Sequence, residues 1–203
     1  MKLKSLLTRV ISLVIGLVLA QGAADAKYFR TVVIDAGHGG HDLGGQWGKV
    51  YEKHLCLDTA ARLESYLKAR GIRTVMTRRS DYFVSLPERV NITKRYPGAI
   101  FVAIHYNYTW KQHVGGLETF FYSSASQPLA AYVQDAMLRK VRTTNRGAKY
   151  ARYYVIHHAP CPAILVECGF VSQDLERERM KRGWYRQSIA EGIGEGIMRY
   201  KRN

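Results

Sequence analysis

Acidic residues are scarce in this chain: 16 Asp and Glu stand against 31 Lys and Arg in 203 residues, a formal charge of +15. Such a chain is soluble and drawn to polyanions, while an apolar share of 47% is too high for disorder. Only five prolines occur beside eighteen glycines, and no tract is repetitive, which excludes collagen-like and low-complexity chains. No period of about 20 to 50 residues recurs, so solenoids drop out. Cysteine is limited to three, in neither CxxC nor Cys/His finger spacing. Cys161 and Cys168 flank an extended apolar run of six residues, which at ~3.3 Å per residue is too long to bridge without a sharp bend. An odd count leaves at least one thiol free, expected to be buried. At about 100–200 residues per domain, one globular domain accounts for the length.

Long hydrophobic runs are missing with one exception, Val10–Ala20. Lys2, Lys4 and Arg9 precede that run, and Ala24-Asp25-Ala26 forms an A-x-A site ahead of Lys27, so residues 1–26 read as a cleaved secretory signal peptide. The run is short against the ~20 residues that span a membrane, and no Cys follows it to carry a lipid. The expected mature domain, 27–203, keeps a charge of +13 after three Lys/Arg and one Asp are removed. The expected location is across the inner membrane, in the periplasm or cell envelope, with the membrane touched only transiently through the leader.

Strand-length apolar runs alternate with helical patterns. Thr31–Ala36, Ile72–Thr77, Ile100–Ile104, Leu117–Tyr122, Tyr153–Ile156 and Ala163–Val166 are rich in Val, Ile, Phe and Tyr, six expected strands. Leu55, Leu57, Ala60, Leu63, Tyr66 and Leu67 recur at helical spacing, with Gly71 as the stop. Leu86–Tyr96, Ala125–Val141 and Tyr185–Tyr200 are further helices. The alternation predicts an α/β fold, a mostly parallel twisted sheet of about six strands flanked by helices on both faces. Ligands in such sheets gather at the C-terminal strand ends. Strand one runs into Asp35-Ala-Gly-His-Gly-Gly-His-Asp42, strand three into His105-Tyr-Asn107 and the last into Glu167-Cys-Gly169. Two imidazoles and a carboxylate in one pocket suit zinc, and a second carboxylate suits a proton shuttle.

The stretches Thr31–Asp42, Glu52 at the head of the first helix, Phe101–Asn107, Gly116–Phe121, Asn145-Arg-Gly147 and Pro162–Phe170 together resemble the zinc-dependent N-acetylmuramoyl-L-alanine amidases of the cell-wall type-3 amidase family. Six matches in the family's order are specific, where the Gly-His-Gly-Gly string alone is weak. The resemblance implies that His38, Glu52 and His105 are the ligands of a Zn2+ cofactor and Glu167 the catalytic carboxylate. It implies hydrolysis of the amide between N-acetylmuramic acid and the L-alanine of the stem peptide, with Glu167 relaying the proton. The implied partner is peptidoglycan, glycan strand with stem peptide, and not nucleic acid.

The neighbours are open to two readings each. Asp35, Asp42 and Asn107 orient ligands or stabilise turns. Arg89 and Arg146 meet stem-peptide carboxylates or are solvated. Tyr106, Tyr108 and Trp110 form a substrate wall or pack as strand residues, and His41, His54, His113, His157 and His158 default to the surface. The chain departs from the family at Ile92-Thr-Lys94, where an Ala-Asn pair is usual, and at Ala103 and Tyr106 beside His105. Only nine residues separate His105 from Gly115, which leaves no space for the inhibitory helix of some division-associated relatives. A monomer active without an obligatory activator is the expectation. Two other readings compete: another zinc hydrolase of the envelope, a peptidase or sugar deacetylase, and a basic non-catalytic module that binds an envelope polymer.

Overall fold

The computed structural model describes residues 29–203, so the leader expected at 1–26 lies outside the described residues. Strands β1 (Thr31–Ala36), β4 (Arg73–Met76), β5 (Ala99–Asn107), β6 (Leu117–Phe121), β7 (Asn145–Tyr150) and β8 (Ala163–Phe170) form one sheet in the order β4-β1-β5-β8-β6-β7. β4, β1, β5 and β8 run parallel, β6 is antiparallel to β8, and β7 is parallel to β6. A two-stranded ribbon, β2 (Gln46–Trp47) with β3 (Val50–Tyr51), stands apart. The central strands are mostly apolar because both faces are covered: every residue of β1 and β8 is buried.

The cover is unequal. Helices α1 (Glu52–Lys68), α3 (Gln127–Lys140) and α6 (Gly183–Arg202) pack on one face over Ile34, Val102, Ile104, Ile164 and Val166. The other face has only α2 (Leu86–Lys94) and the single-turn α4 (Tyr154–His158), over Val33, Phe101, Ala103 and Leu165. Two short helices cannot cover the sheet, and a groove opens between them.

One expectation of element type fails, and two elements stand where none was expected. Tyr153–Ile156 is not a strand: Tyr154–His158 is a helix that buries Val155 and Ile156 and exposes Tyr153 and Tyr154. The sixth strand is instead β7, a half-exposed edge whose sequence NRGAKY carries little apolar signal. A seven-residue helix, α5 (Asp174–Met180), also follows β8. The thiols behave as read: Cys56 and Cys168 are buried, Cys161 partly so, and all three are free.

Helix α6 presents Gly192, Gly194 and Gly196 to its neighbours. A Cβ at Gly196 would lie 2.5 Å from the Val133 Cα, and one at Gly192 would lie 2.7 Å from the Met137 Cα, so the backbones of α6 and α3 approach too closely for any side chain. In an exposed helix Gly→Ala gains about 1 kcal/mol. Here the sign should reverse, and Gly196→Ala is expected to destabilise the fold by about 1–3 kcal/mol, as overpacking does. A fall in the urea midpoint is the expected reading, and a rise would contradict the packing described.

Candidate active site

The groove, about 560 Å³, lies at the C-terminal ends of β1, β5 and β8. Phe83, Leu86 and Arg89 form one wall and Tyr153, Tyr154 and Val155 the other, over a floor that includes His38, Glu52, His105 and Glu167.

His38 sits in the loop after β1 with φ +59°, a left-handed conformation rare outside glycine, so the surrounding structure must hold it there. Two buried guanidiniums do so by taking the carbonyls of three consecutive residues. Arg78 Nε donates to Ala36 O (3.0 Å) and its Nη2 to Gly37 O (2.7 Å); Arg89 Nη1 donates to Ala36 O (2.7 Å) and its Nη2 to His38 O (2.8 Å). Arg78 is wholly buried and Arg89 is 3% exposed. Asp35 pairs with Arg89 at 2.6 Å and accepts the Thr77 hydroxyl at the same distance. Arg89 is thus not solvated; its guanidinium is committed to the loop, and Asp35 is an anchor for it. The sequence reading overlooked Arg78; the run Thr77-Arg78-Arg79 just past β4 looks like surface, and only the fold turns Arg78 inward.

Glu52 opens α1 and aims back over the strand ends. Its Oε2 accepts the Gly45 N–H (2.7 Å), while its Oε1 accepts the Tyr106 N–H (2.9 Å) and lies 2.9 Å from His105 Nδ1 and 3.0 Å from His38 Nε2. On the far side of the His38 ring, Nδ1 meets Asp42 Oδ2 at 2.9 Å, so Asp42 orients the imidazole rather than only stabilising the turn. Glu52 is held far below the ordinary carboxylate range: burial opposes this, but the bonds to His105 and His38 outweigh it. Burial likewise disfavours a charged His38, yet bonding to Glu52 and the charge of Glu52, then of Asp42, raise it.

Ligand atoms of His38, Glu52 and His105 all lie within 4.8 Å of one another. The two ring nitrogens are 3.0 and 2.9 Å from the carboxylate oxygen, close to the ~3.3 Å edge of a tetrahedron built on zinc–ligand bonds of about 2.0–2.1 Å. Two imidazoles and a carboxylate are a donor set zinc accepts, with Asp42 as the outer partner such histidines have. The loop is shaped to the set: a Cβ at Gly37 would lie 2.4 Å from the His105 ring, and one at Gly44 would lie 2.6 Å from Glu52 Oε2 and His38 Cδ2. The residues therefore fit a divalent metal.

Glu167 is the register partner of His105 across β5 and β8. Its Oε2 is buried and has no hydrogen-bond partner, although the residue lines the groove. Burial, then the charges of Glu52 and Glu118, push its carboxyl well above the ordinary value. Such a group binds a proton far more strongly than a solvated glutamate, which a relay needs.

The flanking aromatics divide. Tyr106 is fully buried and its hydroxyl bonds Thr59 at 2.7 Å, so it belongs to the core, as does Ala103. Tyr108 borders the groove, and Trp110, 87% exposed, packs edge-on against it at 5.3 Å. His41, His54, His113 and His158 are exposed and His157 is half-buried. Asn107 donates to Glu118 (2.8 Å) and Arg146 donates to the same carboxylate (3.1 Å), so Arg146 is only partly solvated.

The sequence model of the N-acetylmuramoyl-L-alanine amidase family, Amidase_3, matches residues 32–199. The N-acetylmuramoyl-L-alanine amidase LytC of Bacillus subtilis is 34% identical over 177 residues, a match that covers 85% of this chain but only 36% of that protein's length. A germination-specific N-acetylmuramoyl-L-alanine amidase of the same species is 30% identical over 188 residues, covering 84% of this chain and 79% of the other. Among solved structures, the amidase AmiC2 of Nostoc punctiforme superposes with a TM-score of 0.81 at 36% identity, over 84% of this chain and 96% of that one.

Proposed function

The chain belongs to the N-acetylmuramoyl-L-alanine amidase family, and from that premise we propose that it is a zinc-dependent peptidoglycan amidase of the cell envelope. The observation that carries the zinc and the catalytic roles is the convergence of His38, Glu52 and His105 beside a buried, unpartnered Glu167 carboxyl oxygen. Zinc, when bound, lowers the pKa of water and acts as a Lewis acid toward a carbonyl. His38 and His105 would supply imidazoles to it and Glu52 a carboxylate. Asp42, bonded to His38 Nδ1, leaves Nε2 as the ring nitrogen that would face a metal.

The scissile bond joins the lactyl carbonyl of N-acetylmuramic acid to the alanine nitrogen. Glu167 takes the proton of the attacking water as the oxygen–carbon bond forms, then returns it to the alanine nitrogen as the carbon–nitrogen bond breaks. An amine leaves poorly without that proton, and burial, which raises the affinity of Glu167 for protons, favours the uptake half of the relay.

Residues 1–26 are proposed as the export signal and 27–203 as the catalytic domain. No described helix is long and apolar enough to cross a membrane. The β5–β6 connection runs from Tyr108 to Gly116 and carries no helix; nothing there is long enough to plug the groove. The enzyme should therefore be self-sufficient. Chelation is expected to abolish hydrolysis of purified sacculi, and zinc alone to restore it in full; a requirement for a second protein would contradict this.

Asp42→Ala is expected to weaken zinc binding by about 10–100-fold, the usual cost of losing an outer partner of a ligand. Competition against a zinc-binding dye measures it. Unchanged affinity would mean that the Asp42–His38 bond only shapes the turn.

A further inference from the structure

Beyond the Asn107 end of the groove lies a cationic site that the reaction above does not use. Glu118 is 4% exposed and is the register partner of Glu167 in the antiparallel β6–β8 pair. Arg146 Nε (3.1 Å) and Lys149 Nζ (2.6 Å) both donate to its Oε2, and Asn107 Nδ2 donates to its Oε1 at 2.8 Å.

That arrangement needs an irregularity in β7. Residues 146 and 149 are three apart, and an unbroken strand would point them to opposite faces of the sheet. The β6–β7 register slips by one residue between the pairs Leu117–Asn145 and Thr119–Ala148, with Gly147 at φ +86°. The extra residue turns Arg146 and Lys149 onto the face that Glu118 and the groove occupy.

One carboxylate would suffice to pin the edge strand to one cation. Here two cations share it, leaving one positive charge over. Arg146 and Lys149 side chains keep 31% and 41% of their exposure. Among the described residues Arg146 reaches a protein acceptor only through Nε, and its guanidinium lies over the Phe170 ring with Cζ 5.1 Å from the centroid. Fixed by a ring and a carboxylate, it still has two terminal nitrogens to offer in the planar geometry that suits a second carboxylate.

Distance selects which carboxylate. Directly opposed residues of an antiparallel pair have Cβ atoms about 4.5–5.5 Å apart, so the cations sit roughly one side chain beyond Glu167. At about 3.3–3.6 Å per extended residue, the second residue of the leaving stem peptide reaches that far from the scissile amide. We propose that Arg146 and Lys149 form the subsite for the α-carboxylate of that second residue, and so set which peptidoglycan the enzyme prefers. This rests on the amidase reading and deepens it.

Two muramoyl peptides differing in one group test it, N-acetylmuramoyl-L-alanyl-D-isoglutamate and its isoglutamine counterpart, in which the α-carboxylate is an amide. The zinc-loaded wild type is expected to favour the carboxylate by about tenfold or more in kcat/KM, the effect of a charge-assisted hydrogen bond, and mainly through KM. In Arg146→Gln with Lys149→Gln the preference should fall to near one, and Arg146→Lys should keep part of it. Lys149→Gln alone, at the more exposed position, should reduce the preference even if the double variant folds poorly. Equal rates on the two substrates in the wild type would overturn the subsite, as would a preference that survives both Gln substitutions; these cations would then only pin β7. Hydrolysis of neither substrate would overturn the amidase reading itself, and the subsite with it.

Discussion

Glu167→Gln should reduce kcat by about 10²–10⁴-fold, the range lost with a general acid–base, while zinc still binds. The substitution keeps the shape of the side chain and removes only its ability to accept and return a proton. Glu167 is not among the three groups that converge on the metal position, so zinc content should match the wild type. The stability of the fold should not suffer, because the Oε2 atom has no partner to lose. A variant with wild-type turnover would show that the buried carboxyl is not the relay. A variant without zinc would show that Glu167 helps hold the metal.

His105→Ala should have the complementary signature, losing zinc and activity together. It removes one of three ligands, so the affinity should fall by more than the ~10–100-fold that an outer partner costs, and hydrolysis should follow occupancy. His105 is central to the set: its Nδ1 lies 2.9 Å from Glu52 Oε1, and the loop at Gly37 is moulded to its ring. A metal that binds only the folded state stabilises it by about 4 kcal/mol at a thousandfold excess over Kd. Zinc should therefore raise the melting temperature of the wild type and of Glu167→Gln, and leave that of His105→Ala almost unmoved. An equal zinc-induced rise in all three would place the metal elsewhere.

Much of this site was legible in the sequence because chemistry and topology coincide there. His38, His105 and Glu167 follow or end apolar runs that only a buried parallel sheet explains, and Glu52 heads the helix that returns over them. The supporting residues were harder to read. A buried Arg78 or Arg89 is the same letter as a solvated one; what makes each structural is a set of loop carbonyls, and carbonyls leave no mark in a sequence. Tyr153–Ile156 has the composition of a strand, but four residues are too few for periodicity to separate a strand from one helical turn. Strand β7 fails in the opposite way. Its half-exposed edge needs little apolar content, and its bulge at Gly147 breaks the alternation that marks a strand.

The central claim is the bond that is cut, and the products report it directly. Mass spectrometry of sacculi digested by the zinc-loaded enzyme should show intact stem peptides with a free N-terminal alanine and glycan strands with unsubstituted lactyl carboxylates. Stem peptides cut internally, or glycans that have lost acetyl groups with their peptides still attached, would contradict it.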